Sequence, residues 1–410
     1  METGTPNATG ALKDLKVVEF GAYAAGPCIG KYLANHGARV VHVESRQRPD
    51  GFRLEYPPFT GNTPGMNRSG CFALFNDSKK GITLNLKHPA AHPAAIRLAG
   101  WADVIIENMR PGVMGKLGLR YDSLRETNPG LILLSSCNMG QSGPRANHPG
   151  FGSQLSALSG FSHLTGFPEG SPQLLYGPYI DFIAVAYGAV AVLAALEQRN
   201  RTGEGQCIDL SQYETGLHFI APALLNQEVN GQTAERDGNR DPQAAPHGAF
   251  PCRDDMWCAI SCWDEGQWER FCGALSRPEW KTQPHFSGLA ARKEHETELE
   301  AAIGTVTRQW DAWELMRALQ EAGVRAAVVN RMQDLFTDPQ LEQRKVWRKQ
   351  LHPEMGSRNY RFGSFELSET PGEITGPAPC LGEHNALVFK SWLGYSETEY
   401  QHLVEQGVID

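Results

Sequence analysis

Asp181 is the carboxylate placed most suggestively for chemistry. It follows Gly177-Pro178 and directly precedes the apolar run FIAVAYGAVAVLAAL, which sets it at a helix N-terminus. Two readings share that position. Asp is a favoured N-cap, accepting hydrogen bonds from backbone N–H groups and meeting the helix dipole with its charge. A carboxylate there stays ionised and can also attack a carbonyl, while nearby N–H groups stabilise the oxyanion that develops. Arg110, in Glu107-Asn108-Met109-Arg110-Pro111-Gly112, follows a predicted strand. A guanidinium there can grip phosphate, or stay a surface side chain. Lys79, Lys80, Lys87, Arg46 and Lys116 bring further positive charge to the same predicted sheet edge, although each alone reads as a solvated side chain.

Other chemistries lack their motifs. Gly21, Gly26 and Gly30 form G-x4-G-x3-G instead of G-x-G-x-x-G, so the dinucleotide phosphate cradle is not encoded even though Glu44 lies suitably downstream. Ser142 in Gly140-Gln141-Ser142-Gly143 misses the nucleophile elbow, and no P-loop occurs. Cys252, Cys258, Cys262 and Cys272 lie near His247, but without a C-x-x-C pair they read as thiols and not as a metal site.

The elements that must position these residues alternate. Residues 15–20 read as a buried strand, Pro27 opens a helix that Gly37 stops, and residues 39–43 read as a second strand. The pattern recurs with a strand at 81–86, a helix at 93–100, and strands at 103–107, 131–135 and 207–210. Thr202-Gly203-Glu204-Gly205-Gln206 reads as the tight connection into that last strand. Such alternation predicts a Rossmann-like α/β fold: a mostly parallel sheet covered by helices, with ligands beyond the carboxyl ends of its strands. Three segments follow: 11–220 as the first part of a large domain, 221–333 as a smaller α+β domain, and 334–410 as a return onto the large one. That return carries an amphipathic helix near residues 386–392.

With 46 acidic against 38 basic residues, the net charge of -8 argues against nucleic acid or an anionic membrane as partner. The opening METGTPNATGALKDLK has no apolar core for a signal peptide, so Asn7-Ala8-Thr9 is not expected to be glycosylated. Residues 182–196 fall short of the roughly 20 that span a bilayer. Nine cysteines without framework spacing suit reduced thiols, and a cytoplasmic location is expected.

Taken together the motifs resemble the class III coenzyme A transferases of the CaiB/BaiF type. The resemblance runs through LKVVEFGAYAAGPCIGKYLANHGARVVHVES, NDSKKGITLNLKHP, ADVIIENMRPGVMGKLGL, NPGLILLSSCNMGQSGP, the Asp181 helix with ALEQRNRTGEGQCIDLS, GVRAAVVN and PAPCLGEHN. It implies that Asp181 is the catalytic nucleophile and forms an aspartyl-CoA thioester. It implies that coenzyme A, brought as an acyl-CoA co-substrate without a metal, meets Asn85, Lys87, Asn108, Met109, Arg110, Lys116 and the Asn138-Met139 turn. It also implies that two chains interlock, as a homodimer or with a homologous partner chain.

Departures from the family pattern qualify this. Ala24 stands where formyl-CoA transferase has a glutamine, and Ser45 where it has an arginine, with Arg46 one place on as the substitute contact. The racemases of the family need a His-Asp pair in G-H-D, and the corresponding stretch is Gly150-Phe151-Gly152, which leaves proton transfer without its imidazole. The expected reaction is CoA transfer between carboxylic acids, with succinyl-CoA as donor and an aromatic or dicarboxylic acid as acceptor. A non-catalytic CoA-binding partner subunit is the alternative. Phe151, Phe161, Tyr176, Tyr179 and Trp263 are candidates to line an apolar acyl pocket or simply to fill the core.

Overall fold

Runs rich in valine and isoleucine, buried on both faces, make the centre of a six-stranded sheet in the computed structural model, which describes residues 10–410. The sequon Asn7-Ala8-Thr9 lies outside the described residues. The chain starts with β1 (Lys16–Phe20), α1 (Ala25–Asn35), β2 (Arg39–Glu44), α2 (Gly70–Asn76), β3 (Lys80–Thr83), α3 (His92–Trp101) and β4 (Val104–Glu107). It continues with α4 (Val113–Lys116), α5 (Tyr121–Thr127), β5 (Ile132–Cys137), α6 (Gly152–Leu158), α7 (Phe161–Leu164), α8 (Tyr179–Thr202) and β6 (Cys207–Ser211). All five pairings are parallel, in the order β3-β2-β1-β4-β5-β6. The carboxyl ends of all six strands therefore share one edge.

The expected helix positions hold because their stop signals are physical. Gly37 takes a φ of 103° just past α1, and Gly203, left-handed at φ 78°, caps α8 before the chain turns into β6. One strand is shorter than its apolar run. After Thr83 the N–H of Leu84 still reaches Glu44, but that of Asn85 turns to Val408, so the run expected to extend to residue 86 leaves the sheet.

One face of the sheet packs on α1 and α8, with Val17, Val40, Ile106, Val185 and Val192 in its core. The opposite face packs on α3 and on residues 388–409, where Val388, Phe389, Val408 and Ile409 are buried. Residues 340–410 cluster with this first unit, which also contains Leu174–Leu225. They include the antiparallel hairpin β10 (Trp347–His352) with β11 (Gly356–Arg361).

The second unit comprises Ser162–Gln173 and Asn226–Pro339. Residues 162–173 thus cluster here, although their place in the sequence puts them in the first segment. Its sheet is antiparallel, β7 (His247–Pro251), β8 (Trp257–Ser261) and β9 (Arg325–Val328) in that order. Helices Glu265–Ala274 and Ala312–Glu321 bury Trp268, Phe271, Leu315 and Leu319 against it. Cys258, Cys262 and Cys272 lie in this core, and burial pushes each thiol up to about 12, which keeps them protonated.

The apolar run 182–196, too short on its own to span a bilayer, lies within α8, whose 24 residues are long and apolar enough, by length and composition alone, to cross a membrane. In this fold one side packs on α1 and β5, while Tyr187, Val190 and Leu193 form an exposed apolar stripe on the other.

Candidate active site

The strand ends present their loops in spatial order: Asn85 and Lys87 after β3, Arg46 after β2, Tyr23 after β1, Asn108 to Lys116 after β4, and Asn138-Met139 after β5. Parallel topology brings these distant residues together at the edge where α/β sheets bind ligands.

The loop after β1 is fastened twice. Asn108 Oδ1 accepts from Ala22 N–H at 3.0 Å, and its amide donates to Ala22 C=O at 2.7 Å. A side chain at Gly21 would fall 2.2 Å from Asn108 Oδ1. The second fastening is Asp50, which accepts the Tyr23 N–H on both oxygens at 3.1 Å. Tyr23 needs both, because it holds φ 65°, a left-handed conformation that costs a non-glycine residue about 1–2 kcal/mol. Such conformations persist only where the surroundings over-determine them.

Asp50 belongs to a buried ionic cluster. Glu44 takes both oxygens to Arg53 at 2.8 Å, and His42 Nδ1 lies 3.0 Å from Glu19 Oε2, which also accepts from Lys79 at 2.9 Å. Burial alone would raise Glu44, but the Arg53 guanidinium outweighs it and holds Glu44 below the usual carboxylate range. Asp50 has no such partner, and burial, opposed by His42, pushes it up to about 6. Lys79 is fully buried here, so it is not a solvated cation of the sheet edge, and burial lowers its pKa against the pull of Glu19.

Asp181 lies in the first turn of α8, whose N-cap is Pro178. Its own N–H bonds to Pro178 C=O at 3.0 Å, and no hydrogen bond to its carboxylate is found among the described residues. It is therefore not the cap that the sequence suggests. The carboxylate packs instead on Gly152, where a Cβ would stand 2.7 Å from Asp181 Oδ1 and 2.6 Å from Pro178 Cβ. Asn138 holds that segment by donating to Gly150 C=O at 2.8 Å. Desolvation by the surrounding protein pushes Asp181 from 3.8 up to about 7, with no cation to oppose it. The ionised state expected for a helix-terminal carboxylate is thus deferred to near neutrality.

The expected CoA contacts divide into two groups. Arg46, Lys87, Arg110 and Lys116 are exposed, and none of their charged heads is ion-paired among the described residues. They can meet phosphate. Asn108 has both ends of its amide on the Ala22 backbone, and Asn138 donates from its amide nitrogen to Gly150 C=O, so both brace their loops. Met139 packs with Leu155, Phe161 and Ile180, while Met109 packs on the face that holds Leu119 and donates its N–H to Glu107 at 2.7 Å. Asn85 Oδ1 accepts from the Lys87 N–H at 3.3 Å, which orders that loop.

Of the five aromatic residues suggested as pocket lining, Phe151 directly precedes Gly152 in the chain. Phe161 and Tyr179 pack with Phe219, Tyr176 is fully exposed, and Trp263 sits in the second unit beneath Arg325. Tyr23 and Asp50 escaped the sequence reading, and Gly152 entered it only within the stretch where racemases carry G-H-D. The only local hint of Tyr23 is a bulky residue inside the glycine-flanked turn Gly21-Ala22-Tyr23-Ala24-Ala25-Gly26.

Comparison with known proteins agrees with this architecture. Residues 12–385 match the model of CoA-transferase family III. The chain is 33% identical to a succinyl-CoA–D-citramalate CoA-transferase of Chloroflexus aurantiacus, over 97% of this chain and 98% of the relative. It is 31% identical to the alpha subunit of a succinyl-CoA–L-malate CoA-transferase of Chloroflexus aurantiacus, over 99% and 94%. The crystal structure of a CaiB/BaiF family protein from Brucella suis superposes with a TM-score of 0.87 at 30% identity, covering 94% of this chain and all of that one. The six-stranded parallel sheet, its loop edge and these matches lead to one identification: the chain is a CoA-transferase and belongs to CoA-transferase family III.

Proposed function

We propose that this enzyme moves CoA from succinyl-CoA to an acceptor carboxylic acid through an aspartyl-CoA thioester on Asp181. The observation that carries the reading is the Asp181 carboxylate, held against Gly152 with no hydrogen bond or cation among the described residues and raised to about 7. A purely structural cap would show the opposite signature, with N–H bonds and a depressed pKa. The raised value also makes the carboxylate more basic and a stronger nucleophile once ionised. The names of the relatives support succinyl-CoA as donor.

The steps balance without water. An Asp181 oxygen attacks the thioester carbon of the donor, the C–S bond breaks, and CoA leaves as thiolate from a mixed anhydride. The thiolate attacks the aspartyl carbonyl, succinate departs with the bridging oxygen, and Asp181 carries CoA as a thioester. The acceptor carboxylate then expels the thiolate, forming a second anhydride. The thiolate attacks the acceptor carbonyl, releasing the new acyl-CoA and the free Asp181 carboxylate. Arg46, Lys87, Arg110 and Lys116 hold the phosphates of CoA throughout, so the thiolate stays near the anhydride.

The same reading assigns a second chain, identical or homologous, interlocked with this one. The exposed stripe of Tyr187, Val190 and Leu193, with Phe219, Leu224 and Leu225 also exposed, is the kind of apolar surface that an obligate partner covers. The relative named as an alpha subunit supports a paired assembly. Nine free thiols fit the cytoplasm as its location.

Replacing Asp181 by Ala tests the nucleophile. Transfer should fall by at least a thousandfold with CoA affinity retained; substantial residual turnover would refute the assignment.

A further inference from the structure

Two rows of aromatic rings start at Tyr23 and end at Phe151 and Phe182, the chain neighbours of Gly152 and Asp181. In one, the Tyr23 ring meets Phe151 edge-on with centroids 5.6 Å apart, and Phe151 directly precedes the Gly152 on which the carboxylate rests. In the other, Tyr23 meets Phe52 at 5.4 Å, Phe52 stacks on Phe75 at 5.2 Å, and Phe75 reaches Phe182 at 5.9 Å. Phe182 is the residue after Asp181. Tyr56 closes the corner at 6.3 Å from Tyr23. Phe151, Tyr56 and Phe182 are 54%, 42% and 37% exposed, so this set of aromatic residues keeps accessible surface.

Tyr23 is the junction of both rows, and the protein spends backbone strain to keep it there. Its φ is 65°, Asp50 holds its N–H, and a side chain at Gly51 would lie 2.3 Å from its ring. Its hydroxyl donates to Glu55 at 3.0 Å, which places an exposed carboxylate beside the rings. A collar of rings with an anion at its rim welcomes a flat apolar group, whose edges and faces pair with aromatic quadrupoles, and repels a second negative charge.

We propose that Tyr23 is the specificity-determining side chain of the acceptor pocket, and that this pocket selects an aryl carboxylate over an aliphatic dicarboxylate. The proposal rests on Asp181 being the acyl-bearing carboxylate. The donor escapes the same selection, because its CoA moiety supplies binding energy at the sheet edge, whereas a free acid depends on the pocket alone.

The test uses the full-length enzyme with succinyl-CoA as donor, and phenylacetate, benzoate, glutarate and malate as competing acceptors. The wild type should give at least tenfold higher kcat/KM with an aryl acid than with glutarate or malate. Tyr23→Gly, which keeps the left-handed backbone but removes the ring, should collapse that ratio mainly through the KM of the aryl acid. Tyr23→Phe should keep it, since the collar needs the ring. A wild type that prefers the dicarboxylates, or a Tyr23→Gly enzyme with an unchanged ratio, overturns the proposal. Hydroxylamine trapping on Asp181 with succinyl-CoA alone separates the two levels, since it needs no acceptor: trapping without aryl preference defeats this inference alone, and no trapping defeats the aspartyl mechanism with it.

Discussion

The Asp181 carboxylate and Gly152 are in such close contact that one added methyl would reach within 2.7 Å of Oδ1. Glycine is required here for approach, not for backbone freedom. Pro178, the other atom set in the way at 2.6 Å, is rigid and cannot yield as a flexible side chain would.

Gly152→Ala should therefore displace the nucleophile. We expect kcat to fall at least tenfold, about 1.4 kcal/mol of lost transition-state stabilisation, while the affinity for CoA measured calorimetrically stays within twofold. An alanine variant with wild-type kcat would mean that the contact does not position the carboxylate.

The raised pKa of Asp181 has two consequences for pH. The nucleophile must be ionised, so kcat/KM should fall about tenfold per pH unit well below the value near 7 and level off above it. Stability runs the other way. Between the ordinary value of 3.8 and about 7 the folded protein keeps a proton that the unfolded chain has lost. Asp181 therefore costs stability progressively as pH rises through that window, and the cost is complete above it. Asp181→Asn should match the wild type in Tm near pH 4 and exceed it at pH 8, as thermal unfolding at both values will show.

Asn108 grips Ala22 from both sides, so Asn108→Ala strands a backbone donor and acceptor. A loss of about 1–3 kcal/mol is expected from the denaturant midpoint. The KM for the acceptor should rise in the same variant, because the released loop carries Tyr23. A stable variant with unaltered KM would show that the latch is dispensable.

Arg110 tests the phosphate edge. Its head has no partner among the described residues, so Arg110→Gln should leave Tm unchanged within measurement and raise the KM for succinyl-CoA several-fold, more at low salt than at high. A KM that does not move would remove Arg110 from the CoA site.

Much of this fold is legible because it follows from local rules. Valine-rich runs buried on both faces, Gly37 and Gly203 at helix ends, and the alternation of strand and helix specify a parallel sheet and its binding edge. The assignment of Asp181 as nucleophile rests on resemblance, since residue type and position alone fit a cap equally well, and it stays a proposal. What escaped depends on distance in space. Nothing near Asp181 in the sequence shows that Gly152 approaches it, and so nothing shows that desolvation outweighs the helix terminus in setting its ionisation. The buried role of Lys79 is hidden likewise, because its partner Glu19 lies sixty residues away. Asn108 and Asn138 read as CoA contacts through the resemblance alone, and only the folded chain reveals that their side-chain amides also brace Ala22 and Gly150.

The central claim is a covalent intermediate on Asp181. Incubating the enzyme with succinyl-CoA and hydroxylamine, then sequencing its peptides by mass spectrometry, tests it most directly. The account predicts a hydroxamate on Asp181, formed only when donor is present and accompanied by loss of activity. An unmodified Asp181 in an enzyme that keeps turning over under the same conditions would contradict it.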